Sequence, residues 1–381
     1  MDKGVSVSKT IAIVINTTWN IFNFRMGLIR ALQHEGYEIV AISPRDEYVE
    51  RLEKEGIRHY NIDINNKGTN PFEDIKLIFA FYTLYKKIAP DILLHYTIKP
   101  NIYGSMAAGM LDIPVISNIS GLGTVFLNDA LSSKVARFLY KIALKIPKKV
   151  FYQNAHDRQL FIERGLVSAE KTALLPGSGI DTEVFKPHET MQVHDGILKF
   201  LFIARLVRDK GLVEYVEAAK MMQKEKLPSD KKIAFYILGA FYPGNPTAIT
   251  ELEMKAWEGE GIVTYLGVSD DVPAVIEKYD CIVLPSYREG LSRVLLEAAS
   301  MAKPIITTNV PGCKEVVDDG VNGYLCDVRD VDSLAKQMEK MSTLTTFERI
   351  EMGKQGRKKV ITEFDEALVI EKYKNAIETI L

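Results

Sequence analysis

The fold is indicated most clearly by residues 281–297, which read Cys281-Ile-Val-Leu-Pro-Ser-Tyr-Arg-Glu289-Gly-Leu-Ser-Arg-Val-Leu-Leu-Glu297. The short apolar run at 281–285 predicts a buried parallel strand, and 291–301 predicts a helix. Between them a loop carries Glu289 and Gly290. A strand that ends in such a loop is the building unit of an open parallel sheet, which binds ligands at the carboxyl ends of its strands.

The same alternation of strand and helix recurs in two blocks. Strands are predicted at 10–15, 38–43, 91–96, 114–118 and 149–153, then at 200–204, 234–238, 263–266, 281–285 and 304–308. Helices are predicted at 24–34, 47–56, 72–88, 102–111 and 132–144, then at 212–225, 249–258, 271–278, 291–301 and 364–381. The intervening segment 181–199 has no clear period and predicts a linker.

This pattern predicts an α/β protein made of two Rossmann-like, doubly wound domains. We expect the first at 1–186 and the second at 187–363, with the helix at 364–381 crossing back to the first. Two such sheets facing each other would form one central cleft with room for two substrates. The length of 381 residues also exceeds one ordinary hydrophobic core.

Composition excludes several classes of protein. Lys plus Arg number 48 and Asp plus Glu 50, so no wholesale polyanion binding and no nucleic-acid partner is expected. The three cysteines show no C-x-x-C spacing, which excludes a disulfide framework or zinc knuckle and fits a reducing cytoplasm. No apolar run approaches the roughly 20 residues of a spanning helix.

The quoted loop has the chemistry of a nucleotide site. Backbone N–H groups around Gly290, Leu291 and Ser292 lie at a predicted helix start, which favours anions such as phosphate. Glu297, two turns into the helix, is placed for the hydroxyls of a ribose, and Glu289 for a sugar beyond the phosphates. The competing interpretation is that Glu289 complements the helix dipole and Glu297 is a solvated helix residue.

A second loop supplies positive charge. Arg205 and Lys210 follow the strand predicted at 200–204 and precede a helix. Guanidinium and ammonium groups can neutralise two phosphates. Alone, these residues would be read as a solvated charged loop, and only their combination with Glu289 and Glu297 favours a function.

Together, Arg205, Lys210 and the Glu289-x7-Glu297 spacing resemble the donor site of retaining GT-B glycosyltransferases of family four. The segments 175–181, 265–268, 311–315 and 320–325 agree with that family. Within it, 22–26, 46–49, 70–72 and 121–123 resemble capsule and O-antigen enzymes and the N-acetylgalactosaminyltransferases that extend an undecaprenyl-diphosphate-linked sugar.

The resemblance implies transfer of a sugar, a HexNAc by preference, from a UDP-sugar to a polyprenyl-diphosphate-linked glycan, with retention. Arg205, Lys210 and Glu289 would be catalytic, and Val268, Gly290, Leu291, Ser292 and Glu297 would complete the donor site. No cofactor or metal is implied. The only Asp-x-Asp, Asp330-Val-Asp332, is predicted to cap a helix rather than bind metal.

The acceptor side departs from the family pattern. The first loop reads Asn16-Thr-Thr-Trp-Asn20 without glycine, and Ser117-Asn-Ile-Ser120 stands where many members have a histidine. Acceptor-side candidates are Asn16, Arg25, His95, Lys99, Ser120 and Gly121. His95 could equally be a structural histidine, and Lys99 a solvated loop lysine.

A basic amphipathic segment predicts membrane contact. Between residues 126 and 150 lie Lys134, Arg137, Lys141, Lys145, Lys148 and Lys149 against the single acid Asp129. A helix with one basic and one apolar face can lie on an anionic bilayer, although most such helices bury the apolar face in their own domain. We therefore expect a cytoplasmic protein, peripheral on the inner face of the membrane.

Two alternatives to a transferase remain at the level of sequence. One is a GT-B enzyme of the UDP-HexNAc epimerase type, which has no acceptor. The other is a catalytically silent membrane-bound scaffold subunit. The Glu289-x7-Glu297 spacing argues against the first, and the presence of all four charged donor-site residues argues against the second.

Overall fold

The computed structural model describes residues 8–65, 70–122, 131–188, 196–224 and 232–381. The chain forms two compact units. Unit 1 comprises Met1–Ser178 with Glu366–Leu381, and unit 2 comprises Gly179–Asp365. Among the described residues, no helix is both long and apolar enough to cross a membrane.

Unit 1 is built on a parallel sheet of seven described strands in the order β3-β2-β1-β4-β5-β6-β7. The strands are β1 Thr10–Val14, β2 Glu38–Ser43, β3 Arg58–Asn61, β4 Ile92–Tyr96, β5 Val115–Ile119, β6 Lys149–Tyr152 and β7 Thr172–Leu174. The helices are α1 Thr18–Phe24, α2 Met26–His34, α3 Val49–Lys54, α4 Pro71–Ile88, a π-helical turn Pro100–Gly104, α5 Ser105–Gly109, α6 Leu131–Ala143, α7 Ala155–Glu163 and α14 Glu366–Ile380.

Alternate residues of the unit 1 strands enter two separate cores, because successive side chains of a strand point to opposite faces. Ala12 and Val14 of β1 pack with Leu77 and Phe81 of α4, in a core that also takes residues of α5 and α6. The strand residues that point to the other face of the sheet pack against α1, α2 and α14. The sheet is therefore buried on both faces, which explains the unbroken apolar strand sequences.

Unit 2 has a parallel sheet of six described strands in the order β10-β9-β8-β11-β12-β13. The strands are β8 Ile197–Ile203, β9 Lys232–Leu238, β10 Thr264–Tyr265, β11 Cys281–Leu284, β12 Ile305–Thr308 and β13 Gly323–Cys326. The helices are α8 Leu212–Lys224, α9 Glu251–Gly259, α10 Val272–Glu277, α11 Arg293–Ser300, α12 Val331–Thr343 and α13 Thr346–Glu363, and a 3₁₀ turn spans Arg208–Lys210.

The order of each sheet reverses once, between β1 and β4 in unit 1 and between β8 and β11 in unit 2. Such a reversal opens a crevice at the carboxyl ends of the two strands, where open α/β sheets bind ligands. We call these places the unit 1 edge, where β1, β4 and β5 end, and the unit 2 edge, where β8 and β11 end.

The unit boundaries differ from the predicted ones. The chain passes from unit 1 to unit 2 between Ser178 and Gly179, and returns after Asp365. The predicted linker is anchored in unit 2 at its first residues, because Thr182 and Phe185 are buried there and the hydroxyl of Thr182 donates to Asp365. Its last residues belong to β8.

The predicted helix at 24–34 is also corrected. It is two helices that meet at Arg25, whose φ of −129° is not helical. The predicted helix at 102–111 begins earlier, as the π-helical turn Pro100–Gly104, and continues as α5. π-helical turns are rare and concentrate at functional sites.

Candidate functional site

The unit 2 edge brings together charged residues that are far apart in sequence. Arg205 and Lys210 follow β8, and Glu289 follows β11. Since β8 and β11 are hydrogen-bonded neighbours, their carboxyl ends lie side by side. The crevice is therefore lined from both strands by ionisable groups.

Lys210 and Glu289 meet directly, as an ion pair between the ammonium and Oε1. Both side chains are largely shielded from solvent. The sequence predicts Lys210 on a diphosphate and Glu289 on a sugar, and it gives no sign that the two side chains pair directly. A bound diphosphate would have to compete with Glu289 for the lysine.

Two glycines hold the loops of this pair in place. Gly211 has φ +75°, and a Cβ there would lie 2.1 Å from the carbonyl oxygen of Pro285. Gly312 has φ +84°, and a Cβ would lie 2.4 Å from the Glu289 backbone. Only glycine combines this conformation with such a close approach. Gly211 therefore lets the loop after β8 reach the end of β11, and Gly312 lets the loop after β12 reach Glu289.

Arg205 is exposed, and its guanidinium lies 4.9 Å from the ring centroid of Tyr242. Among the described residues no carboxylate forms an ion pair with it. Stacking on an aromatic face orients a guanidinium without consuming its hydrogen-bond donors. The charge of Arg205 is thus held in place and remains available to a ligand.

Glu297 is buried in α11, and its Oε1 accepts a hydrogen bond of 3.1 Å from Nε of Arg293. Burial raises the pKa of the Glu297 carboxyl, and the Arg293 guanidinium opposes that rise. Arg293 also donates to the carbonyl of Gly179 at 3.0 Å. Sequence reasoning missed Arg293, although its i, i+4 spacing from Glu297 was a usable signal.

The loop before α11 is partly closed by internal hydrogen bonds. The backbone amide of Glu289 donates to Pro311, and that of Ser292 donates to Gly312 at 2.8 Å. An anion site was expected at the backbone amides of Gly290, Leu291 and Ser292. The Ser292 amide is already hydrogen-bonded within the protein, so it does not contribute to that site. Val268 is exposed in the loop after β10.

The unit 1 edge is built from unusual backbone and amide groups rather than from ion pairs across strands. Thr97, directly after β4, has φ +65°, an uncommon conformation for a β-branched residue that is enriched at functional sites. Nδ2 of Asn101, in the π-helical turn, donates to the carbonyl of Asn118 at 2.8 Å. Nδ2 of Asn118 in turn donates to the Tyr373 hydroxyl at 2.9 Å.

Three acceptor-side candidates lie at this edge with partial exposure. Asn16 follows β1, while Ser120 and Gly121 follow β5. The Ser120 hydroxyl donates to Oδ1 of Asn118 at 3.1 Å. Gly121 has φ +150°, within the range that favours glycine. Gly123, and residues 126–130 of the expected membrane segment, lie outside the described residues.

The other three candidates are turned inward, which corrects their expected placement. His95 is fully buried, with Tyr85 and Ser105 at its two ring nitrogens, and burial lowers its pKa to about 3. A neutral imidazole so enclosed has a structural role. Arg25 is 6% exposed and lies over the Tyr96 ring, 4.4 Å from its centroid.

Lys99 is neither a solvated lysine nor free for a ligand. Its ammonium lies 2.7 Å from Oδ1 of Asp74 in α4, and both side chains are mostly buried. The Tyr103 hydroxyl donates to the other oxygen of Asp74, also at 2.7 Å. This cluster ties the start of α4 to the π-helical turn at the unit 1 edge.

Comparison with known proteins identifies the chemistry. The family model for glycosyl transferases group 1 matches residues 190–359, and the model for glycosyl transferase 4-like proteins matches residues 10–154. The chain is 27% identical to a Campylobacter jejuni enzyme, N,N'-diacetylbacillosaminyl-diphospho-undecaprenol alpha-1,3-N-acetylgalactosaminyltransferase, over 93% of this chain and 94% of that one.

The chain is a glycosyltransferase.

Other relatives of the glycosyltransferase agree. The UDP-Gal:alpha-D-GlcNAc-diphosphoundecaprenol alpha-1,3-galactosyltransferase of Escherichia coli is 25% identical, over 84% of each chain. Among solved structures, a glycosyltransferase from Rickettsia africae superposes with a TM-score of 0.78 at 20% identity and 98% coverage of both chains.

Anabaena Alr3699/HepE in complex with UDP-glucose superposes with a TM-score of 0.77 at 17% identity, over 97% of this chain and 99% of that one. These likenesses show that the glycosyltransferase has the GT-B fold. The relatives, which are named as transferases, favour a transferase over an epimerase or a silent scaffold.

The described part of the glycosyltransferase holds no group of three or more His, Cys, Asp or Glu side chains arranged to bind a metal ion. Asp330 caps α12, accepting a hydrogen bond of 2.8 Å from the Ser333 amide. This confirms its predicted role as a helix cap.

Proposed function

We propose that this glycosyltransferase moves a sugar from a UDP-linked donor to a glycan carried on a polyprenyl diphosphate. The observation that carries the proposal is the pairing of Lys210 with Glu289 at the unit 2 edge, where Arg205 also follows β8 and Glu297 is buried in the helix that starts there. The relatives whose names specify undecaprenyl-diphosphate-linked acceptors, and the neighbour whose title specifies UDP-glucose, support it.

Each charged group has a distinct task in this proposal. The Glu297 carboxylate accepts hydrogen bonds from the ribose hydroxyls, and Arg293 holds it in position. Arg205 and Lys210 bind the diphosphate. As the bond from the anomeric carbon to the diphosphate breaks, negative charge grows on the leaving UDP, and fixed positive charge stabilises it most at that moment.

The ion pair of Lys210 with Glu289 suits the same reaction. When the donor enters, the diphosphate takes over the lysine, which leaves the Glu289 carboxylate to accept hydrogen bonds from the donor sugar. The backbone amides near Gly290 and Leu291 add to the phosphate contact. Val268 lies in a neighbouring exposed loop, where it can contact the nucleotide.

Retention at the anomeric carbon, a HexNAc donor and independence from metal are parts of the same proposal. Arg205 and Lys210 supply the positive charge that a divalent cation supplies elsewhere. The acceptor side uses the unit 1 edge, with Asn16, Ser120 and Gly121 exposed enough to contact a substrate.

The test is UDP release over a panel of UDP-sugars, with and without a lipid-diphosphate glycan. We expect release that requires the acceptor, favours a UDP-HexNAc, persists in a chelator and yields a product with the donor's anomeric configuration. Equal release without acceptor would contradict transfer, and loss of activity in the chelator would contradict independence from metal.

We also propose peripheral binding to the inner face of the cytoplasmic membrane through α6 and the residues after it. Val135, Phe138 and Ile142 are exposed on α6, and residues 131–150 contain six basic residues and no acid. Anionic lipid attracts each such charge by about 1 kcal/mol.

The test is sedimentation with anionic vesicles at low salt. Replacing Lys134, Arg137, Lys141 and Lys145 with Glu should abolish binding while UDP affinity stays unchanged. Equal sedimentation of the variant and the wild type would overturn this part of the proposal.

A further inference from the structure

A second surface of unit 1 carries large exposed apolar side chains. Phe72, Ile75 and Phe79 of α4 are 77%, 52% and 59% exposed. Their spacing of three and four residues puts them on one side of the helix. The opposite side of α4 faces the interior, since Leu77, Phe81 and Tyr85 are buried in the unit 1 core. The outer stripe is therefore not part of that core.

The stripe lies on the same side of the sheet as α6. Residues of both helices enter one core, and both helices pack against the π-helical turn Pro100–Gly104. Two helices of this layer thus carry large exposed apolar residues, and clustered exposed apolar residues mark interaction sites.

The charged residues of α4 indicate which kind of partner would bind the stripe. Lys76, Lys86 and Lys87 are exposed along α4. The acids of α4 lie in its first turn, where Asp74 is engaged by Lys99 and Tyr103, and Glu73 accepts from Asn65. Aromatic side chains with lysines at one surface fit the boundary between lipid headgroups and acyl chains.

The stripe also lies next to the unit 1 edge. Asp74, between Phe72 and Ile75 in sequence, contacts Lys99 and Tyr103 after β4. A bilayer that touches the stripe would thus lie beside the place where a lipid-linked acceptor presents its glycan.

We propose that Phe72, Ile75 and Phe79 insert into an anionic bilayer and hold the unit 1 edge at the membrane surface. This inference rests on the proposed function, because it assumes a lipid-linked acceptor. It adds a second membrane-contacting helix to α6, one that inserts apolar side chains while its lysines face the lipid headgroups.

The first experiment uses tryptophan as a reporter of insertion. Phe72→Trp is compared with Phe347→Trp, since Phe347 is also the second residue of a helix and is 71% exposed, but lies in unit 2. The wild type supplies the baseline from its two tryptophans. The probe is vesicles of phosphatidylethanolamine and phosphatidylglycerol in equal amounts.

We expect vesicles to shift the emission of Phe72→Trp to shorter wavelength and to leave Phe347→Trp at the baseline. An unshifted Phe72→Trp in protein that sediments with the vesicles would overturn the inference while leaving the proposed membrane binding intact. Failure of the wild type to sediment at all would instead overturn the membrane part of the proposed function, and this inference with it.

The second experiment removes the stripe. Phe72→Ser with Phe79→Ser should reduce vesicle binding at least several-fold at high salt, where charge attraction is screened. Phe347→Ser should bind like the wild type. If the double variant binds equally well, or if it dissociates a wild-type dimer without changing vesicle binding, the stripe serves another partner and the inference is wrong.

Discussion

The two sheet edges of this enzyme are alike in topology and different in chemistry. At the unit 2 edge, charged side chains are paired, Lys210 with Glu289 between two loops and Arg293 with Glu297 within α11. At the unit 1 edge, His95 and Arg25 point inward, and the notable features are the backbone of Thr97 and the amides of Asn101 and Asn118.

The difference follows from what each edge must bind in the proposed reaction. A nucleoside diphosphate has fixed charges at fixed spacing, so ionisable residues at fixed spacing can match it. A glycan acceptor offers mainly hydroxyl groups, which neutral amides and backbone groups can bind without ion pairs. In unit 1 the charged candidates Arg25 and Lys99 are turned inward, while in unit 2 the charged candidates lie where the proposed donor would bind.

The strongest test of the comparison is Lys210→Ala. We expect turnover to fall about a hundredfold or more, because removing one group that stabilises developing charge has effects of that size. Arg205→Ala should act in the same direction. Steady-state kinetics with the preferred donor would show it, with the exposed Lys224→Ala as control. A change confined to the Michaelis constant for the donor would contradict the leaving-group role.

Next in size is Glu297→Ala, whose effect should appear in UDP affinity. A hydrogen bond to a charged group contributes about 1.5–3 kcal/mol, so the dissociation constant should rise on the order of tenfold or more. Glu289→Ala is the matched comparison. It should leave UDP affinity unchanged or improved, since it frees Lys210 and removes only a sugar contact. Calorimetric titration measures both, and unaltered affinity in folded Glu297→Ala would remove Glu297 from the site.

The assignment of His95 to the interior is tested by the pH dependence of stability. Its pKa is lowered by burial from 6.5 to about 3, so between these values the unfolded chain binds the extra proton. The free energy of unfolding should therefore fall as pH falls through this window. Between about pH 7 and about pH 5 the loss is about 2 kcal/mol.

His95→Gln should remove that share of the pH dependence, whereas the exposed His34→Gln should not. Urea unfolding at the two pH values gives the difference. Identical pH dependence in wild type and His95→Gln would mean that the imidazole is accessible to protons, as an acceptor-side residue would be.

The smallest effect is expected from Arg293→Gln. Burial raises the Glu297 pKa and Arg293 opposes the rise, so the pKa should climb further in the variant. Arg293 is the only charged side chain among the described residues that moves this pKa. UDP affinity should then weaken more on acidification in the variant than in the wild type, because the carboxylate is protonated at a higher pH.

Glu297→Gln should lose the share of the pH dependence that comes from the carboxyl of Glu297, with or without Arg293. Equal loss of affinity at every pH in Arg293→Gln would show that Arg293 only supports the fold around α11 and does not keep Glu297 ionised.

Sequence predicted the central strands better than the edge strands. The bounds of β2 agree with the prediction. The strands β3, β7 and β13 were missed, and each of them lies at an edge of its sheet. Edge strands are covered less completely, so Arg58-His-Tyr-Asn61 carries no apolar run to recognise. The helices α7 and α13 were also missed.

What the sequence determined by itself is local: buried parallel strands from unbroken apolar runs, and two doubly wound units. The role of the Glu289-x7-Glu297 motif in donor binding stays a prediction. Tertiary structure decided which charges meet. Lys210 and Glu289 are 79 residues apart and pair because β8 and β11 are neighbours. It also decided that His95 is enclosed and Lys99 engaged, since burial and partnership depend on helices packed from elsewhere in the chain.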